Sequence, residues 1–77
     1  MSLSDADVVR QVRQGDVEAF SVLVDRHQDR LGRYALHLLG NRADAEEAVQ
    51  EAFIRAFRSL ARYQEREQFG AWVLKIL

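Results

Sequence analysis

Hydrophobic residues recur along this chain at intervals of three and four, and nowhere alternate over a run long enough for a strand, so the spacing predicts helices throughout. Ser4-Asp5-Ala6-Asp7 reads as a capped helix start, followed by a short apolar stripe at Val8, Val9 and Val12. Gly15 stands where a left-handed cap would close this helix, and Asp16 is placed to cap the next. The second helix is expected from about Val17 to Leu39. Phe20, Val24, His27, Leu31, Tyr34 and Leu38 form a single seam on it, widened by Leu23, Ala35 and Leu39, and the rod is roughly 33 Å long at ~1.5 Å per residue. Gly40 stops this helix, and Asn41 with Asp44 after it resembles the start of a third, over about Ala43 to Ala61.

The third helix carries its buried stripe at Ala45, Ala48, Val49, Ala52, Phe53, Ala56, Phe57 and Leu60, where the alanines let a neighbouring backbone approach closely. Arg62 to Glu67 is polar and weakly patterned and reads as a loop. A last amphipathic segment, Phe69 to Leu77, carries Trp72, Val73, Ile76 and Leu77 and has no cap or turn after it, so the ending reads as cut. The expected fold is all-α: one domain over residues 1–77, a compact bundle of about four helices in which two long helices pack antiparallel across the turn at Gly40-Asn41.

Composition narrows the class further. The chain has 77 residues, and a chain of this size buries only about 60% of the surface its unfolded form exposes, so it needs an efficient core or a partner. With no cysteine, disulfide staples and thiolate metal sites are excluded. No apolar run approaches the ~20 residues of a membrane span and nothing resembles a signal peptide, which makes the cytoplasm the expected setting. Net charge is -1, against the basic excess expected of a protein that grips duplex DNA unaided. The distribution says more. Acidic residues crowd Asp44 to Glu51, and Arg55, Arg58, Arg62, Arg66 and Lys75 follow, with Glu65 and Glu67 among them.

No catalytic constellation is present, and no enzyme activity, cofactor or metal is expected. His27 and His37 lie on one helix but point about 80° apart at 100° per residue, and His27 on the apolar seam reads as a satisfied core histidine. Glu46, Glu47 and Glu51 lack the Glu-x-x-His partner of a helical carboxylate site. What remains is a face. Glu47, Gln50, Glu51, Ile54, Arg55 and Arg58 form one stripe opposite the alanine-rich core stripe, and the branched apolar Ile54 sits in its polar middle. Spacing alone leaves two readings of this stripe, a solvated helix face or an interaction surface.

Residues 41 to 57, Asn-Arg-Ala-Asp-Ala-Glu-Glu-Ala-Val-Gln-Glu-Ala-Phe-Ile-Arg-Ala-Phe, resemble the second block of extracytoplasmic-function sigma factors of bacterial RNA polymerase, with its Asp-Ala-Glu-Asp-Leu-Val-Gln-Glu-x-Phe core. Gly15-Asp16 with Ala19-Phe20, Arg33-Tyr34-Ala35 before Leu38-Leu39-Gly40, and Phe69-Gly70-Ala71-Trp72-Val73-Leu74-Lys75-Ile76 are similar to three further blocks in the family's order. The resemblance runs from about Ala6 onward and identifies region 2, without the −35-binding region 4. It implies a transcription-initiation module. Glu47, Gln50, Glu51, Ile54 and Arg55 would dock on the coiled-coil clamp helices of the β′ subunit. The loop and last helix would open the −10 element and hold non-template bases, through Arg62, Tyr63, Gln64, Arg66, Gln68, Trp72 and Lys75.

For Tyr63, Phe69 and Trp72 a core role stands beside the DNA role, since aromatics at this spacing usually pack. Gln64-Glu65 departs from the Arg-Gly or similar pair frequent in family loops, and two glutamates in the loop leave open which base is read. Four or five basic side chains would neutralise about three or four phosphates, against roughly six to ten in strong DNA binders, so polymerase must supply most of the binding energy. Two other readings have different partners: a sigma-like regulatory domain that binds an anti-sigma factor or another helical partner, and a structural bundle that self-associates. An anti-sigma factor is also an expected partner of the sigma reading itself.

Overall fold

Local chemistry starts the first helix. The computed structural model of the chain describes residues 2–64, 66 and 68–77. The Ser4 hydroxyl accepts from the Asp7 N–H at 3.1 Å and the Asp7 carboxylate accepts from the Ser4 N–H at 3.3 Å, a reciprocal capping box that opens α1, Asp5–Arg13. Hydrogen bonding to its carboxyl from the Ser4 side chain, and next from the Ser4 backbone N–H, holds the exposed Asp7 carboxyl below the usual carboxylate range, with the Arg10 guanidinium adding to the effect. Val8, Val9 and Val12 are buried, as their spacing predicts. Gly15 takes φ 112° at the turn that follows. The Asp16 side chain makes no cap hydrogen bond, and Val17–Ala19 is a 3-10 turn, so the second helix, α2, runs over Phe20–Leu39 and starts three residues later than the periodicity suggests.

Gly40 ends α2 in the left-handed conformation at φ 67°, donating its N–H to the Leu36 carbonyl at 2.8 Å. One residue later the Asn41 side-chain oxygen accepts from the Asp44 N–H at 3.0 Å and opens α3, Arg42–Arg58. The Phe20 ring at the start of α2 meets Phe53 and Phe57 near the end of α3, with centroids 6.5 and 5.2 Å away, so the two helices run antiparallel. Their contact is alanine-lined as expected: Ala35 against a stripe of Ala45, Val49, Ala52, Phe53 and Ala56, all buried. Ala52→Leu should cost about 1–3 kcal/mol, because an isobutyl group in place of the methyl has no space at a position 2% exposed. Urea denaturation checks this, and an unchanged midpoint would refute the placement of this stripe.

Beyond α3 a 3-10 turn at Leu60–Arg62 takes the place of the helix's expected last turn, and α4, Phe69–Ile76, closes the chain. Among the described residues there is no strand. α4 sets Phe69 and Val73 into the core and lays Phe69 against Phe20, Tyr63 and Trp72, with ring centroids 6.1, 5.9 and 5.9 Å apart. Asp5 fastens α1 to α2, accepting from Arg26 at 3.0 Å and facing His27 Nε2 at 2.8 Å.

Four stripe assignments need correction. Tyr34, Leu38 and Leu39 of α2 are 43%, 58% and 50% exposed, while Leu23 and Ala35, expected like Leu39 only at the edge of the stripe, are buried with Phe20 and Leu31. Phe57 of α3 is likewise 42% exposed. On α2 the cause is reach: α1 and α4 pack beside its N-terminal part, around His27, and at the Gly40 end α3 alone covers one flank.

Candidate functional site

Because Ala45, Val49, Ala52, Phe53 and Ala56 lock one side of α3 into the core, the rotation of the helix is fixed and the opposite side must face outward. Glu47, Gln50, Glu51, Ile54 and Arg55 are all exposed there. Glu51 Oε1 accepts from Arg55 Nε at 3.2 Å, an exposed pair worth a few tenths of a kcal/mol that leaves the second carboxylate oxygen open to a partner. Ile54, 47% exposed, supplies an apolar contact amid carboxylates and an amide.

Beside this face lies an open groove that the spacing on α3 did not reveal. Gln28, Gly32, Arg33 and Leu36 of α2 form one wall, and Val49 and Gln50 of α3 belong to the other. Gln50 therefore stands at the junction of the stripe and the groove. The sequence signal was Gly32, a glycine in mid-helix: a Cβ there would meet nothing within 4 Å, so packing does not require the glycine. Gly32→Ala should stabilise the domain by about 0.5–1 kcal/mol through helix propensity, read as a rise in melting temperature. A fall would mean that the groove is narrower than this.

The second surface is the segment between the 3-10 turn and α4. Arg62 lies in that turn, while Gln64, Arg66 and Gln68 follow it, and all four are exposed, as is Lys75 on α4. Glu65 and Glu67 lie outside the described residues. Tyr63 is placed differently from its expected role at the DNA. It is 4% exposed, its ring 5.9 Å from Phe69 and 5.0 Å from Trp72, so it offers no open ring for stacking and serves as the floor of the loop. Phe69, 1% exposed, takes the core alternative as well. Trp72 is half-buried, packed on both rings, and keeps part of its indole at the surface. The loop thus presents polar and basic side chains over an aromatic base.

Arg13 escaped the sequence reading altogether. From the last turn of α1 its Nε and Nη2 donate to the Leu60 carbonyl at 3.2 and 2.6 Å, its Nη2 also donates to the Tyr63 carbonyl, and its guanidinium lies 5.8 Å above the Tyr63 ring centroid. No periodicity marks such a contact, since it joins positions 47 and 50 residues apart. His27 is the satisfied histidine its seam position suggested, held between Asp5 and Phe69. Among the described residues no group of three or more His, Cys, Asp or Glu side chains could hold a metal ion, and no helix is long and apolar enough to cross a membrane.

The model of the Sigma-70 region 2 family matches residues 23–77. The chain is 35% identical over 68 residues to the ECF RNA polymerase sigma factor SigW of Bacillus subtilis, covering 88% of this chain and 36% of the relative. It is 43% identical over 63 residues to the ECF sigma factor SigE of Mycolicibacterium smegmatis, covering 82% and 24%. The chain thus spans well under half the length of these curated relatives. A solution structure of an engineered region 2 of sigmaE in complex with GTAAAA superimposes with a TM-score of 0.88 at 35% identity, covering 99% of this chain and 81% of the other.

Proposed function

The chain belongs to the Sigma-70 region 2 family, on its extracytoplasmic-function branch, a family of non-enzymatic transcription-initiation domains, and from that membership we propose which surface meets which partner. The outward face of α3 docks on the β′ clamp helices of RNA polymerase core. Glu47, Gln50 and Glu51 accept from basic side chains of that helix pair, Arg55 orients Glu51, and Ile54 fills an apolar contact. The loop from Arg62 to Gln68, with the exposed part of Trp72 and with Lys75 on α4, meets the non-template strand of the melted −10 element. This activity places the protein in the bacterial cytoplasm.

The observation that carries the docking half is Ile54, 47% exposed in the centre of a polar stripe whose helix is fixed in rotation by its buried alanines. The DNA half is supported by the 35% identical engineered region 2 of sigmaE, which was solved in complex with GTAAAA. Titration of the domain with the isolated β′ clamp-helix fragment tests the first half, and saturable binding is expected. A folded domain that does not bind would sink it.

The loop favours a second reading, a sigma-like regulatory domain that binds an anti-sigma factor or another helical partner without promoter function. Gln64 and Glu65 depart from the family pattern, and the burial of Tyr63 removes one stacking ring from the DNA surface. Fork-junction DNA presented with polymerase core separates the two: a domain that docks but gives no added DNA retention is the regulatory one.

A further inference from the structure

We propose that Arg13 is a positioning residue for promoter reading, which sets the loop over Arg62–Gln68 in place by holding the two carbonyls at its start. The inference rests on the DNA half of the proposed function and assigns Arg13 no contact with DNA. The chain leaves α3 at Arg58 and passes through the 3-10 turn Leu60–Arg62, in which the Tyr63 N–H donates to the Leu60 carbonyl at 3.1 Å. Arg13 adds side-chain donors to this turn from another helix. Its planar fork donates to Leu60 and to Tyr63, three residues apart across the turn, and the positive charge sits at a helix C-terminus, where it is favoured.

The same guanidinium lies over the Tyr63 ring, which also packs against Phe69 and Trp72 of α4. One side chain therefore ties the beginning of the loop to α1 and, through Tyr63, to the helix at its end. Arg62, Gln64, Arg66 and Gln68 stand on the backbone so held, and their direction toward a strand follows from where Leu60 and Tyr63 are fixed. A lysine carries the charge but lacks the second donor that Nε gives to Leu60 and the planar group over the Tyr63 ring, so it does not reproduce this hold.

Arg13→Met and Arg13→Lys in the full chain provide the test, with ¹⁵N relaxation of the Gln64, Arg66 and Gln68 amides as the direct readout. Both variants should raise the mobility of these amides while those of Leu31 and Ala52 stay rigid. With polymerase core and fork junctions randomised over the single-stranded −10 segment, affinity should fall at least about tenfold for Arg13→Met. Arg13→Lys should not restore it, clamp-helix affinity should be unchanged, and the salt dependence of DNA binding should keep its slope. Loop amides as rigid as in the wild type would overturn the assignment. So would full affinity with a loosened loop, or full rescue by lysine with a slope lowered by about one in Arg13→Met, the mark of a phosphate contact. A wild-type domain that binds clamp helices but retains no fork junction sinks the DNA half of the proposed function, and this inference with it.

Discussion

Phe69→Ala is expected to lower the melting temperature by roughly 15–30 °C, from a loss of about 3–5 kcal/mol in a domain of this size. The Phe69 ring is 1% exposed and lies where the elements converge: Phe20 from α2, Tyr63 from the loop, Trp72 from α4, and His27 at 5.4 Å. Truncation leaves a cavity bounded by rings that cannot close on it without breaking their edge-to-face packing. A domain of 77 residues holds only about 4–12 kcal/mol in total, so this single ring is a large share. The variant should still show the far-ultraviolet signature of helix at low temperature, because the α2–α3 hairpin keeps its alanine contact. Differential scanning calorimetry measures the shift. A change of less than about 5 °C would mean that α4 and the loop are only loosely joined to the hairpin, and would remove the aromatic base from under the proposed DNA surface.

Much of this fold can be read from local rules because its boundaries are set by local chemistry. Ser4 with Asp7, Gly40 and Asn41 each act within four residues, and each does in the structure what its residue type suggests. The stripe on α3 is legible for a related reason: a helix whose core side is mostly alanine has few other ways to pack closely. The seam of α2 is not, since the register of apolar residues says which side of a helix is apolar but not how far its neighbours extend. Tyr34 and Leu38 share a side with His27, and α1 and α4 cover that side only around His27. Tyr63 and Arg13 show the same limit from the other end. A tyrosine in a polar segment is equally at home on the surface or under it, and what decides is a guanidinium from α1 that lies 50 residues away in sequence. The candidate docking residues were visible as a stripe, whereas the groove beside them needed α2 to be laid against α3.

The double substitution Gln50→Ala with Glu51→Ala should weaken binding to the β′ clamp-helix fragment at least about hundredfold, while the melting temperature stays within a few degrees of the wild type. Both residues are exposed, and the Glu51–Arg55 pair is worth only a few tenths of a kcal/mol, so the fold has little to lose. Alanine is also the better helix former, which offsets part of that loss. Binding is different. Truncating one partner of a desolvated charge pair costs about 2–5 kcal/mol, because the other charge is left buried and unsatisfied in the interface. Glu18→Ala, which removes an exposed carboxylate from the turn before α2, serves as the charge control and should leave affinity unchanged. Isothermal titration and thermal melts on the three proteins decide the matter. Parallel loss of affinity and melting temperature would place Gln50 and Glu51 in the structure of the helix and not on a docking face. Loss in the control as well would reduce the interaction to net charge, and full affinity in the double variant would move the docking surface off this stripe altogether.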